Sequence, residues 1–171
     1  MRHALTLSRR FAAVVAPACL AGGAQAQDLF SETGRARALE GDTLVVNDRV
    51  ISLYGIDAPL KIQPCFRDGQ PFPCGLESQA ALEALLATGP VVCEQFQDTS
   101  FRRRFLNYGK CTIEGVDISA EMVRQGMAMA FPEQSDAYLE IEQEAKAARA
   151  GHWNSQMFEP PWEWEENART Q

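Results

Sequence analysis

The first regular pattern along the chain is a pair of β-branched runs separated by two polar residues. The runs cover residues 43–46 and 49–56, and Asn47-Asp48 lies between them. Asn and Asp tolerate the left-handed backbone of a two-residue turn, so this pattern predicts a β-hairpin. An earlier run at residues 34–39 could add a first strand.

Three later segments have the apolar spacing that is typical of helices. The first covers residues 75–87, the second follows Ser119 and reaches Gly126, and the third follows Ser135 and ends at Gly151. Serine is a common N-cap and glycine a common terminator, so the chain predicts three helices.

Two extended runs, at residues 91–96 and 105–113, lie between the first and second helices. If these strands pair in antiparallel fashion, Cys93 and Cys111 could face each other. The order along the chain is then strands, one helix, two strands and two helices, which predicts an α+β fold.

The first 26 residues have the three zones of a secretory signal peptide. Arginines at positions 2, 9 and 10 precede the uncharged stretch FAAVVAPACLAGGA, and Ala24-Gln25-Ala26 offers a cleavage site. The alternative is a membrane anchor, but about 14 such residues are fewer than the roughly 20 that span a bilayer. We expect a signal peptide at 1–26, a periplasmic or secreted mature chain, and no membrane span in it.

Removal of this signal makes the chain strongly acidic, with 13 basic and 23 acidic residues and a net charge of −10. Nucleic acids are bound largely through phosphate neutralisation by Lys and Arg, so we expect weak or absent nucleic-acid binding. The basic run Arg102, Arg103 and Arg104 is either a solvated turn or a phosphate contact.

Four cysteines remain in the mature chain, and four cysteines allow three pairings. We favour Cys65 with Cys74, across a Pro- and Gly-rich loop, and Cys93 with Cys111. Zinc is the alternative, but no histidine lies near the cysteines in the sequence. Disulfides also agree with an oxidising compartment.

Three acidic residues, Glu40, Asp42 and Asp57, bracket the predicted hairpin. Because a hairpin returns its far end to its start, these side chains could meet. Their oxygens suit a hard cation such as Ca²⁺. The alternative is that Asp42 and Asp57 are ordinary turn residues.

The motifs GDTLVV, LYGIDAP, EMVRQGMA and ARAGHW occur in this order and resemble the thermonuclease family, whose named example is staphylococcal nuclease. The resemblance runs from about Gly34 to Trp164. It implies a five-stranded OB-type β-barrel with three helices, which we place at residues 27–164, followed by an acidic tail at 165–171.

The resemblance also implies a nuclease site with one Ca²⁺, a glutamate that handles the attacking water, and two arginines that hold the phosphate. Asp42 and Asp57 match the two metal-binding aspartates, and Glu40 lies where a nearby acidic residue is usual. The resemblance therefore favours a Ca²⁺ site at these three residues.

The catalytic half of the family pattern is missing from this chain. Leu60 occupies the position of the glutamate, and Ser52 replaces the first arginine. The position of the second arginine falls on Leu106, or on Asn107 after a shift of one residue. An alkyl side chain can neither accept a proton nor orient water, so Leu60 is the most damaging change.

The segment FEPPWEW carries Trp162 and Trp164. A tryptophan pair can stack on a sugar or a base, but we expect this pair to pack against the protein before the chain frays.

Two functional hypotheses follow. The first is an exported thermonuclease-like binding or accessory protein with a degenerate site and a glycan or protein partner, as in exopolysaccharide (succinoglycan) biosynthesis. The second is an active Ca²⁺-dependent endonuclease on DNA or RNA, with the arginine run and carboxylates such as Glu77 or Asp68 as replacements. Leu60 separates the two.

Overall fold

The computed structural model describes residues 31–95, 107–155 and 159–170. The predicted signal peptide, the arginine run at 102–104 and Leu106 lie outside the described residues.

The described ranges contain eleven short strands and four α-helices. The strands are β1 (Ser31–Gly34), β2 (Ala36–Ala38), β3 (Thr43–Val46), β4 (Arg49–Leu53), β5 (Ile56–Asp57), β6 (Cys65–Arg67), β7 (Gln70–Phe72), β8 (Val91–Gln95), β9 (Tyr108–Ile113), β10 (Val116–Asp117) and β11 (Met129–Ala130). The helices are α1 (Cys74–Leu86), α2 (Ile118–Arg124), α3 (Leu139–Ala147) and α4 (Pro161–Arg169), with a 3₁₀ turn at Gly151–Asn154.

Seven strands form one mixed sheet in the order β1-β8-β9-β4-β3-β2, with β10 paired to β9. Its pairs are antiparallel except for β4 with β9. The edge strands β1 and β2 are consecutive in the chain and separated only by Arg35, so the sheet must curl to bring its edges together. Among the described strands, no pairing between these edges closes the sheet completely.

The predicted α+β, OB-type fold is confirmed, but the predicted counts were too low. One reason is that the strand predicted at residues 34–39 is present as β2, and a further strand, β1, precedes it at the opposite edge of the sheet. A second is that the Pro- and Gly-rich loop contains the β6–β7 hairpin, with Asp68 and Gly69 at positive φ in its turn. The third is that the C-terminal segment forms α4.

The predicted hairpin is present as β3 and β4, but its second run ends at Leu53, and Ile56 belongs to β5, which pairs with β11. Asn47 and Asp48 have φ angles of 48° and 63°, as the tight turn requires. Thr43 and Ser52 are opposite each other in the register. The start and end of the hairpin therefore lie side by side.

Both predicted disulfides are present. Cys93 and Cys111 are partners in the β8–β9 register and form one disulfide, and Cys65 and Cys74 form the other. All four cysteines are buried. The second pair joins the start of β6 to the first residue of α1, and it therefore fixes the β6–β7 hairpin against the helix.

The N-cap of α2 differs from the prediction. The Asp117 carboxylate, not Ser119, accepts the capping hydrogen bond, at 3.2 Å from the backbone nitrogen of Ala120. The Ser119 hydroxyl donates instead to the carbonyl of Tyr54, at 3.3 Å. The helix begins at Ile118, so Ser119 lies inside its first turn and not at the capping position.

The core fills the space between the curled sheet and the helices. Its largest fully buried side chains include Leu44, Ile51, Leu53, Leu82 and Met122. None of the helices in the described part of the chain has the length and apolar content that a membrane span requires.

Candidate functional site

Asp42 lies in the turn between β2 and β3, and its carboxylate and its carbonyl contact two other segments of the fold. One oxygen, Oδ1, accepts a hydrogen bond from the Thr43 hydroxyl at 2.9 Å. The other, Oδ2, accepts from the backbone N–H of Ala58 at 3.0 Å. Its own carbonyl accepts from the N–H of Leu53 at 2.7 Å. Asp42 therefore lies beside the peptide that follows Asp57.

Gly41 is what allows this turn to approach so closely. A Cβ atom at Gly41 would lie 2.5 Å from Cβ of Ser78 in α1 and 2.7 Å from Cβ of Ala58. Real Cβ atoms do not approach so closely, so a side chain here would push the turn away from both neighbours. Packing therefore requires glycine at position 41.

Asp57 ends the short strand β5 and is 2% exposed. In the antiparallel ladder with β11 its register partner is Met129. The preceding Gly55 has a φ of 81°, and a Cβ there would lie 2.7 Å from the ring of Tyr138. The GIDAP segment is thus held between β11 and the residue before α3.

Glu40 is half-buried near the same carboxylate. Burial raises the pKa of Glu40, and the negative charge of Asp42 raises it further. The charge of Lys61 opposes this change, and that of Glu165 in α4 adds to it. Asp42 thus contacts the residue after Asp57, and its charge raises the pKa of Glu40. A meeting of all three acidic side chains stays a prediction.

Ser52 takes part in a short series of hydroxyl contacts that ends at the Asp42 carboxylate. Its Oγ lies 3.5 Å from Oγ1 of Thr43, which donates to Asp42. Its backbone N–H donates to the carbonyl of Asn107 at 2.9 Å, and the Asn107 amide donates to the carbonyl of Val50 at 3.3 Å. Ser52 and Asn107 thus fasten β4 to the start of β9.

Leu60 lies in the turn that follows Ala58-Pro59 and is partly exposed. Its carbonyl accepts the N–H of Gln63 at 2.9 Å. A Cβ at Gly75, near the start of α1, would lie 2.4 Å from that carbonyl oxygen. The main chain of Leu60 is therefore packed under α1, next to the disulfide-bonded hairpin.

The donor atoms present suit a hard cation only in part. Asp42 and Asp57 offer carboxylates on adjoining segments, and Glu40 lies nearby. Within residues 31–95, 107–155 and 159–170, however, no group of three or more His, Cys, Asp or Glu side chains is arranged to hold a metal ion. Ca²⁺ takes six to eight oxygens, so carbonyls and water would have to supply the rest.

Comparison with known proteins agrees with this architecture. Residues 50–155 match the family model described as staphylococcal nuclease homologue, which is more than half of the 171-residue chain. The chain belongs to the staphylococcal nuclease family. The resemblance inferred from the GDT and GIDAP motifs is thereby confirmed.

Three relatives show how far the similarity extends. The chain is 32% identical over 127 residues to the succinoglycan biosynthesis protein ExoI of Rhizobium meliloti (strain 1021), covering 72% of this chain and 65% of ExoI. It is 31% identical over 151 residues to the probable staphylococcal-like nuclease CAN4 of Oryza sativa subsp. japonica, covering 85% of this chain and 28% of CAN4. An uncharacterized 38.1 kDa protein of Capnoides sempervirens is 28% identical over 121 residues, covering 70% and 32%. The chain therefore spans less than two thirds of each relative.

The structure also contains a buried polar network that the sequence did not predict. His152, in the 3₁₀ turn, is 0% exposed, and its Nε2 lies 2.9 Å from the hydroxyl oxygen of Ser78 in α1. The same hydroxyl donates to the carbonyl of Met127 at 2.6 Å. Oε2 of Glu77 lies 3.8 Å from Nδ1 of His152.

These residues include a serine, a histidine and a glutamate, but their geometry does not make Ser78 a nucleophile. Serine has one hydroxyl proton, and a carbonyl can only accept, so that proton points to Met127. His152 must then donate from Nε2 to Ser78. Burial lowers the pKa of His152 to about 4, although the charge of Glu77 opposes this change. Ser78 and an uncharged His152 therefore form a structural link between α1 and the 3₁₀ turn.

The signal that could have indicated this network is the motif AGHW. Gly126 and Gly151, both at positive φ, allow two chain segments to touch: a Cβ at Gly126 would lie 2.2 Å from the carbonyl oxygen of Ala150. The N–H of His152 donates to the carbonyl of Gly126 at 3.0 Å. The glycine before His152 therefore signals a close backbone contact. The motif does not contain the partner of the imidazole, Ser78.

Proposed function

We propose that this chain is an exported domain of the staphylococcal nuclease family whose nuclease site is degenerate, and that it acts as a binding or accessory protein in exopolysaccharide biosynthesis. Its partner is a glycan or another protein. Nucleic acid is at most a weak ligand of the acidic mature chain, which carries a net charge of −10 after loss of the three N-terminal arginines.

The observation that carries the proposal is Leu60. It follows Asp57-Ala58-Pro59, where the family resemblance places the glutamate that handles the attacking water. Its carbonyl contacts Gln63 and the start of α1, so the turn that holds it is well packed. An alkyl group in this place cannot take a proton from water.

The expected loss of rate is large. Loss of a general base typically lowers the rate about 10²- to 10⁴-fold, and loss of a charge-stabilising donor about 10²- to 10³-fold. These losses do not simply multiply, because residues that act together are not additive. Even one of them is enough to remove most activity.

The setting is supported by two further observations. The relative ExoI is named for succinoglycan biosynthesis, and the similarity covers 72% of this chain. The two buried disulfides are typical of an oxidising compartment, which supports a periplasmic or secreted location.

A second candidate function is Ca²⁺-dependent nuclease activity on DNA or RNA. It is favoured by the Asp42 turn beside Asp57 and by the similarity to CAN4, which is named as a nuclease. In that case Asp42, Asp57 and Glu40 would hold the ion, and the arginine run at 102–104 would bind phosphate. The ion would supply positive charge at the scissile phosphodiester.

A cleavage assay separates the two functions. Residues 27–171 are purified and incubated with single-stranded DNA and with RNA, with Ca²⁺ or with a chelator. We expect no Ca²⁺-dependent cleavage above background. The double variant Ser52→Arg with Leu60→Glu restores an arginine and the carboxylate, and we expect it to cleave at least about tenfold faster.

The matched control is Ser52→Arg with Leu60→Gln. It carries the same arginine, and its glutamine has the size of glutamate but cannot take a proton from water. It should stay at background. Chelator-sensitive cleavage by the unmodified protein would overturn the accessory function and establish the nuclease.

A further inference from the structure

A cleft with two tryptophans lies on the side of the β5–β11 ladder that carries Met129. It measures about 230 Å³ and lies between β11, α3, the 3₁₀ turn and the first turn of α4. We call it the tryptophan cleft. The lining residues that matter here are Pro132, Glu142, Lys146, Trp153, Pro160 and Trp162.

The two indole rings are held in place by the protein. The Trp162 ring packs against Phe131, with 5.2 Å between centroids and 39° between planes. The ammonium of Lys146 lies 4.5 Å from the centroid of the Trp153 ring. Both tryptophans remain partly exposed. Each therefore presents part of a flat apolar ring to the cleft, which suits a ligand with an apolar face.

An ion pair supplies the polar part of the cleft. Oε2 of Glu142 accepts from Nζ of Lys146 at 2.7 Å, and Oε1 accepts from the N–H of Ala130 at 3.1 Å. Glu142 is 6% exposed. A carboxylate oxygen has two lone pairs and an ammonium has three N–H groups, so both can bind further hydroxyls.

This combination indicates the chemical class of the ligand. The charges of Glu142 and Lys146 cancel, so the cleft has no net attraction for a strongly charged ligand. Hydroxyl groups both donate and accept hydrogen bonds, so they can bind the Glu142 carboxylate and the Lys146 ammonium beside it. The volume is below the roughly 300 Å³ at which pockets for drug-sized ligands begin, so it suits one ring rather than a long chain.

We propose that the tryptophan cleft binds one neutral sugar unit of a polysaccharide, stacked on Trp162 and hydrogen-bonded to Glu142 and Lys146. The choice of a sugar as the ligand rests on the proposed function. The cleft adjoins the candidate nuclease site through Met129, the register partner of Asp57. A sugar there would lie beside the acidic turns without using them.

The test uses cellobiose and lactose, two neutral disaccharides, titrated by calorimetry into residues 27–171. Trp162→Ala removes the stacking surface, and we expect it to weaken binding at least about tenfold, because the sugar ring loses its main apolar contact. Trp164→Ala is the matched control, because it is on the same helix but not among the described residues that line the cleft. It should bind as the unmodified protein does.

Lys146→Met keeps the aliphatic stem over Trp153 and removes the donor, and we expect binding to weaken about fivefold or more. Trp162→Phe keeps an aromatic contact with Phe131, and it should retain part of the binding. Circular dichroism of each variant establishes that it is folded.

Three results would overturn the inference: no binding of either disaccharide, equal losses in Trp162→Ala and Trp164→Ala, or binding of a proline-rich peptide in place of sugar. The cleavage assay is independent of these results. A protein that binds sugar and also cleaves nucleic acid would keep this inference and lose the accessory function. A protein that neither cleaves nucleic acid nor binds sugar would keep the accessory function and lose this inference.

Discussion

The acidic turns around Asp42 and the buried network around His152 contact the same residue of α1, yet they treat charge in opposite ways. Cβ of Ser78 lies where a side chain at Gly41 would collide, and its hydroxyl bonds His152. On the acidic side, the charge of Asp42 raises the pKa of Glu40, and its carboxylate accepts the N–H that follows Asp57. On the other side, burial keeps His152 neutral.

The difference shows which titratable residues are suited to chemistry. The Asp42 oxygens each have one described partner and keep spare lone pairs, so a cation or water can still bind. The Ser78 hydroxyl has used its proton on Met127, and His152 is enclosed. Polar groups packed on two sides of one helix residue can therefore serve function on one side and packing on the other.

The largest expected effect is the loss of stability on acidification. The pKa of His152 is about 4 in the folded protein and about 6.5 when unfolded. Between these pH values the unfolded chain binds a proton that the folded chain does not. The contribution is thus present above pH 6.5 and lost as the pH falls towards 4, on the order of 3 kcal/mol in total.

Urea unfolding at a series of pH values measures this loss. In His152→Gln the same acidification should lower stability less, because glutamine does not titrate. Equal slopes for the two proteins between pH 6.5 and 4 would mean that His152 is not the group responsible.

The second largest effect is expected from Gly41→Ala. Gly41 lies where the acidic turns contact Ser78, which also bonds His152. The added Cβ must displace Ser78 or Ala58, and overpacking of this kind costs about 2 kcal/mol. Gly89→Ala is the control, since its Cβ would meet only one methyl group of Ile113 at 3.1 Å. Urea midpoints should fall clearly more for Gly41→Ala than for Gly89→Ala. If they fall equally, the close approach at Gly41 is not what constrains this turn.

The smallest expected effect is stabilisation by Ca²⁺, which tests directly whether the acidic turns bind a cation and the His152 network does not. At a Ca²⁺ concentration ten times its Kd, binding adds about 1.4 kcal/mol to the free energy of unfolding. We expect the melting temperature to rise in the unmodified protein and in His152→Gln, but not in Asp42→Asn. Calorimetric titration gives the same comparison. A rise that survives in Asp42→Asn would place the ion elsewhere.

Local signals predicted much of the fold correctly. The Asn47-Asp48 turn fixed the hairpin, because its residues tolerate positive φ. The pairing of Cys93 with Cys111 followed from two strands of opposite direction. In both cases the residues that decide the structure are near in sequence or share a simple periodicity.

Features that depend on distant partners were missed. Ser119 looked like an N-cap, but its hydroxyl bonds the carbonyl of Tyr54, 65 residues away. The bond between Ser78 and His152 spans 74 residues. Helix α4 is fixed in part by the contact of Trp162 with Phe131. The choice of partner in each case is made by tertiary packing, which periodicity does not contain.

For the candidate site, the sequence predicted that Glu40, Asp42 and Asp57 would meet, and the structure places Asp42 against Ala58 with Glu40 nearby. The assignment of these residues as Ca²⁺ ligands, and of Ser52 and Leu60 as lost catalytic positions, stays a prediction. The tryptophan cleft could not be predicted, because its walls come from four separate elements, β11, α3, the 3₁₀ turn and α4.

The single residue Arg35 between β1 and β2 has a consequence for self-association. An open sheet exposes two edges, and each can recruit a strand from another molecule and start aggregation. Here both edges belong to adjacent pieces of one chain, and an incoming strand needs about 4.8 Å on each side. At the corner formed by Arg35 that space does not exist, so this domain is protected there against edge-to-edge aggregation by its connectivity alone.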